Sequence, residues 1–179
     1  VVAAHQSVIS FTNVFYCLPL SIAMAATIAV GYELGAGREK DAVQYSYISR
    51  IVAIVVAIAI CGFTFTHMES ISSLFTNDEE VYNLIYRFLG YGVFFSAFDA
   101  IGTPLQGILR GYKDVKIVFY ISLISYWGVC FPIAYILANN PNYGPFGVWI
   151  GLLASVIVAG ILFTIRTWYI QHKQVHIKA

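Results

Sequence analysis

Charge is scarce in this sequence. Asp, Glu, Lys and Arg make up 11% of its 179 residues, while 59% are hydrophobic and the mean hydropathy is +0.76. An ordinary soluble domain carries roughly 25% charged residues, so the shortage excludes that class and reads as an integral membrane protein. Between Val1 and Tyr32 there is no Asp, Glu, Lys or Arg. Cysteine is scarce too. Cys17, Cys61 and Cys130 are widely spaced inside apolar runs, which argues against a disulfide framework or a zinc knuckle and for small apolar packing groups. Gly31, Gly35 and Gly37 are not followed by Gly-Lys-Ser/Thr, so no phosphate cradle is expected. No nucleic-acid partner is expected either. His-Glu-x-x-His and Gly-x-Ser-x-Gly are both missing, which argues against an intramembrane enzyme. The chain opens on Val1 without Met or a basic leader, and we expect it to be part of a longer protein.

What remains is an alternation of apolar runs and short charged turns. Five spans are predicted, at about residues 5–31, 42–66, 88–109, 117–138 and 146–165, giving an all-α membrane protein. In the first span Gln6, Ser10, Asn13, Cys17 and Ser21 recur at three and four residues and form a polar face. Ser21, Ala25 and Ala29 form a small-residue line for a close neighbour. His5, at its outer end, is expected to be an interfacial hydrogen-bonder. Ile71, Leu74 and Phe75 predict a short interfacial helix before the third span, beside a solvated run of acids. Pro132 predicts a bent fourth span, and Asn139–Pro145 reads as a short uncharged turn. Gly147, Gly151, Ser155 and Ala159 predict a packing ridge on the fifth span, and residues 166–179 read as a polar, basic tail.

Basic residues set the orientation. Alternation puts Arg38, Lys40, Arg50, Arg110, Lys113, Lys116, Arg166, Lys173 and Lys178 on one side and Arg87 alone on the other. Such a bias places the C-terminus in the cytoplasm and Val1 outside.

The third span, FLGYGVFFSAFDAIGTPLQGIL, holds a single ionisable group, Asp99, near its middle. An acid at that depth costs roughly 2.5–3.5 kcal/mol on insertion scales, so it marks a functional site facing protein or water. Ser96, Asp99, Thr103, Gln106 and Arg110 follow at steps of three and four and share one face. Pro104 and the glycines Gly90, Gly92, Gly102 and Gly107 loosen this helix and free backbone carbonyls. The rival reading is a protonated Asp99 acting as structural glue. Candidate cavity-lining residues are Ser96, Thr103, Gln106, Phe95, Asn13, Tyr16 and Tyr126, with Phe94 and Phe98 as further aromatic faces for a cation.

Five stretches carry a resemblance: VVAAHQ, PLSIAMAATIAVGYELGAG, LRGYKD, ISYWGVCFPIAYIL and GPFGVWIGL, in that order over nearly the whole chain. Together they resemble the multidrug and toxic compound extrusion (MATE) transporters, in their NorM-like branch. The resemblance implies twelve spans in two six-helix lobes, of which this chain is most of the second lobe, spans eight to twelve, without the N-terminal lobe and the lobe's own first helix. It implies a multi-pass protein of the cell membrane that exports cationic amphipathic small molecules by antiport with sodium or protons, with membrane lipid around it and no resident cofactor. Asp99 falls on the branch's cation-binding acid, which makes it the implied cation-coupling residue, a sodium ligand if sodium and not the proton is the coupling ion. Phe95 stands where the branch can carry a tyrosine, and the site's second acid would lie on the missing helix. A lipid-linked oligosaccharide flippase of related architecture is the alternative transporter, and a non-transporting membrane scaffold the alternative outside transport.

Overall fold

A computed structural model describes residues 2–76, 78–140 and 144–177, with side chains through residue 173. Val1, Asn77, Lys178, Ala179 and residues 141–143 of the expected Asn139–Pro145 turn lie outside the described residues. Helices account for almost all of what is described: α1 (Val2–Gly35), α2 (Glu39–Thr66), α3 (Met68–Phe75), α4 (Glu79–Gly111), α5 (Val115–Leu123), a π-helical turn (Ile124–Cys130), α6 (Phe131–Ala138) and α7 (Phe146–Ile177). Among the described residues five helical segments are long and apolar enough to cross a membrane, α5 to α6 counting as one.

The helices outrun the apolar spans. α4 has 33 residues, about 50 Å at ~1.5 Å per residue against a hydrocarbon core of about 30 Å. Its extension is built from the acidic run: the Asp78 carboxylate accepts from the Glu80 and Val81 amides (2.9 and 3.3 Å), capping the helix, with Glu79 and Glu80 at the positive end of its dipole. At its other end the Lys113 amide donates to Arg110 and the Asp114 amide to Leu109, a Schellman closure with Lys113 in the left-handed region at φ 63°. The expected tail after Ile165 is instead more of α7. Thr167 and Gln171 continue the buried stripe of Phe163 at steps of four, and Arg166 pairs with Asp114 at 2.6 Å.

α4 lies at the centre, with α1, α2 and α7 packed on it. The α1–α4 crossing is closest at Gly107, where an added Cβ would fall 2.2 Å from the Ala23 carbonyl oxygen, so only glycine fits. The Thr27 hydroxyl sits in the same contact, 2.8 Å from both the Ala23 and the Gly107 carbonyls. The small residues at this crossing are therefore Ala23, Ala26 and Thr27. Ser21 and Ala25 are exposed and Ala29 half-buried, because spacing shows which residues share a face but not which face meets a neighbour. The ridge on α7 does receive a helix: Gly147 and Gly151 face Leu137, Ala138 and Ala134 of α6.

The fourth span changes helical form where a bend was expected. Pro132 has no amide hydrogen to donate one turn back, and the seven residues Ile124–Cys130 ahead of it widen into π form, with the Phe131 amide reaching Tyr126, five residues earlier. α3 forms where Ile71, Leu74 and Phe75 predict it, with Ile71 buried and Leu74 exposed.

Two apolar clusters hold the bundle. One, at the end where α1 and α7 begin, joins Ala4, Val8, Phe88 and Trp149; the other joins Ala26, Leu105, Ile108 and Phe163. His5 belongs to the first, edge-on to Phe88 and Trp149 with centroids 6.2 and 5.3 Å away. Between the clusters the packing opens.

Candidate functional site

The opening is a cavity of about 220 Å³, lined by Thr12, Asn13, Phe15, Tyr16 and Pro19 of α1, Ile60 of α2, Phe95, Ser96 and Asp99 of α4, and Tyr126 of the π-helical turn. Each element has a local reason to present what it does. Polar residues on α1 recur with the helical period, so Asn13 and Tyr16 arrive on adjoining turns. Ser96 and Asp99 are one turn apart on α4, and Asp99 accepts the Thr103 hydroxyl at 3.4 Å, a long contact one turn further on. The π-helical turn carries Tyr126 opposite them.

Asp99 is half-buried. Among the described residues it has no Lys, Arg or His partner, whereas Asp114, Glu33 and Asp41 each lie within 4 Å of an arginine (2.6, 2.5 and 3.6 Å). Buried carboxylates without a cation are costly unless they are neutralised by a proton or an ion. The cavity supplies oxygens around that charge, from Asn13, Ser96, Tyr16 and Tyr126, and aromatic faces from Phe15, Phe95 and the two tyrosines. Hard cations take several oxygen ligands, and aromatic faces attract organic cations, so one pocket offers chemistry for both. The Thr12 hydroxyl donates to its own helix, to the Ile9 carbonyl at 2.9 Å, leaving it less free to act.

The structure brings together six of the residues singled out from the sequence: Asp99, Ser96, Phe95, Asn13, Tyr16 and Tyr126. Thr103 touches Asp99 from beyond the cavity wall and is buried; Gln106 is half-buried further along α4 and Arg110 is exposed. Phe94 and Phe98 turn elsewhere, Phe94 into an apolar groove shared with α2 and Phe98 into one shared with α7. Sequence reasoning missed Thr12, Phe15, Pro19 and Ile60. The first three share the α1 turns of Asn13 and Tyr16 and were within reach of the helical period; Ile60 had no signal. Cys17, Cys61 and Cys130 are free thiols, Cys17 exposed.

Comparisons place this geometry among known proteins. The family profile described as MatE matches residues 1–136. The chain is 42% identical over 172 residues to the probable multidrug resistance protein NorM of Halalkalibacterium halodurans, covering 96% of this chain and 38% of that one. With the probable multidrug resistance protein NorM of Geobacillus kaustophilus it shares 44% over 165 residues, 92% of this chain and 36% of the relative. Among solved structures, the eukaryotic MATE transporter AtDTX14 superposes with a TM-score of 0.88 at 25% identity, covering 98% of this chain and 40% of that protein. The chain thus spans well under half the length of the relatives it matches. With a family profile matching three-quarters of its length and NorM proteins at about 40% identity along nearly all of it, this chain belongs to the MatE family of membrane transporters.

Proposed function

We propose that the full-length protein carrying this chain is a secondary active exporter of organic cations, coupled to inward sodium or protons, with Asp99 as the coupling carboxylate. In this reading the chain supplies spans eight to twelve of a twelve-span, two-lobed cell-membrane protein, with Val1 outside and the C-terminus cytoplasmic. Export of drugs is suggested by the names of the NorM relatives, and the MatE match makes a transporter the natural class rather than an enzyme. A single observation carries the assignment of Asp99. It is a carboxylate within a membrane-spanning helix, on the wall of an open cavity, with one long hydroxyl contact and no fixed basic partner among the described residues.

The mechanism follows from charge. A cavity of one negative group holds one mobile positive group well and two poorly, so coupling ion and cationic substrate compete for Asp99. Rocking of the two lobes would then expose that choice to each side in turn. Asn13, Ser96, Tyr16 and Tyr126 would complete part of an ion's oxygen shell or orient a substrate. Phe95 would contribute only its ring, so the remaining ligands have to come from elsewhere.

Reconstitution of the full-length protein in vesicles tests this. Imposed sodium or proton gradients should drive export of a cationic dye in the parent protein and fail to do so in Asp99→Asn at equal expression and folding. Parent-level gradient-driven export in that variant would remove Asp99 from the mechanism.

A further inference from the structure

Among the described residues Arg50, too, lacks a counterion. Arg50 lies on α2 immediately before the uncharged run 51–66 and is half-buried. Its Nε donates to the Ser46 carbonyl at 3.2 Å and one Nη to the Gln171 side-chain carbonyl at 3.0 Å. Among the described residues it has no carboxylate partner, and its other N–H groups have none at all. Two further polar groups beside it are orphaned. The Gln171 amide nitrogen and the Tyr112 hydroxyl are both buried without a hydrogen bond, and Gln171 as a whole is only 9% exposed. The Tyr112 hydroxyl lies beside Gln171 and Ser46 without meeting either in hydrogen-bond geometry, and burial raises its pKa above the ordinary tyrosine value, so it stays a neutral donor.

The unmet demand is all of one kind. Guanidinium N–H, amide N–H and phenol O–H are donors, and together they call for an acceptor with several oxygens and a negative charge. The level in the membrane narrows the source. Gln171 follows the exposed rings of Trp168 and Tyr169 on α7, and Arg50 follows the exposed Tyr47 on α2. Rings of this type gather at the headgroup level, where lipid phosphates lie. Arginine matches a phosphate with two parallel N–H groups where lysine offers a point charge.

We infer that Arg50, Gln171 and Tyr112, converging from α2, α7 and the end of α4, form a binding site for the phosphate of an anionic phospholipid headgroup. A lipid held there would join three elements at the basic end of the bundle, on the opposite side of the second apolar cluster from the Asp99 cavity. The inference does not depend on the coupling role of Asp99.

Native mass spectrometry of the delipidated full-length protein, titrated with phosphatidylglycerol, phosphatidylcholine or inorganic phosphate, tests it. The parent should retain one phosphatidylglycerol at least tenfold more tightly than Arg50→Ala and more tightly than phosphatidylcholine, with inorganic phosphate failing to displace it. Gln171→Leu should weaken retention severalfold and Arg50→Lys should fall between parent and alanine variant, which keeps the test alive if Arg50→Ala does not fold. Lys116→Ala, removing an exposed cation at the same end, should bind as the parent does. Equal retention by the parent, Arg50→Lys and Gln171→Leu overturns the site, as does a Lys116→Ala loss matching theirs, which would mean diffuse charge attraction. Displacement by inorganic phosphate overturns the lipid assignment.

Discussion

Asp99 and Asp114 sit fifteen residues apart, one within α4 and one in the turn that ends it, and the protein treats them in opposite ways. Asp114 is tied to Arg166 of α7 at 2.6 Å, and that arginine also lies over the Tyr169 ring. Its charge is spent on holding the end of α4 to α7. Asp99 sits on a cavity wall with a single 3.4 Å hydroxyl contact and no fixed cation among the described residues. The same contrast separates their surroundings. At Gly107, midway between them, α1 and α4 touch backbone to backbone, whereas around Asp99 the same two helices part enough to leave open volume. A paired carboxylate in a closed contact serves the fold, and the proposed function reads the unpaired one in an open contact as left for a ligand.

The largest effect expected from breaking this contrast is at Asp99 itself. Asp99→Asn should lower gradient-driven export at least about a hundredfold, about 2.7 kcal/mol of lost driving interaction at 1.36 kcal/mol per tenfold, while leaving the thermal midpoint in detergent within a few degrees of the parent. Next is Gly107→Val, which thrusts side-chain atoms into the Ala23 carbonyl. It should destabilise by about 1–3 kcal/mol or prevent assembly, read as a lowered midpoint and lost monodispersity. Asp114→Asn should be milder because its ion pair is partly exposed, about 1–2 kcal/mol of stability with export retained within a few-fold. A double-mutant cycle with Arg166→Gln should show the two losses overlapping. Smallest is Thr27→Val, which removes a hydroxyl shared between two carbonyls. Hydrogen bonds of this kind in membranes average about 0.6 kcal/mol, so the midpoint should barely move. If Asp99→Asn cost more stability than Asp114→Asn, the contrast would be inverted.

Much of this arrangement was legible in the residues. The five apolar segments follow from where charge is missing, and the depth of Asp99, the one charged residue of α4 between Arg87 and Arg110, follows from the same pattern. Helical spacing put Ser96 beside Asp99 and put Asn13 on a polar face of α1. Spacing within one helix says nothing about which face of the next helix it meets. Hence Ser21 and Ala25 were expected in a contact that Ala23, Ala26 and Thr27 make, and Phe94 and Phe98, neighbours of Phe95 in sequence, face away from the cavity. Ile60 was invisible for the same reason, since it is an ordinary apolar residue made relevant only by the packing of α2. The continuation of α7 past Ile165 escaped because polar residues such as Thr167 and Gln171 look solvated in a sequence, and only the partners they meet reveal a buried stripe.

The competition proposed at Asp99 sets a coupling ion against an organic cation for one negative site. It is tested most directly by equilibrium binding of a fluorescent cationic dye to the full-length protein, titrated with sodium and, separately, with acid. The parent should release the dye as one of the two rises, and Asp99→Asn should bind dye with an affinity that neither changes. Displacement of the dye from Asp99→Asn with the parent's dependence on sodium or acid would contradict the account.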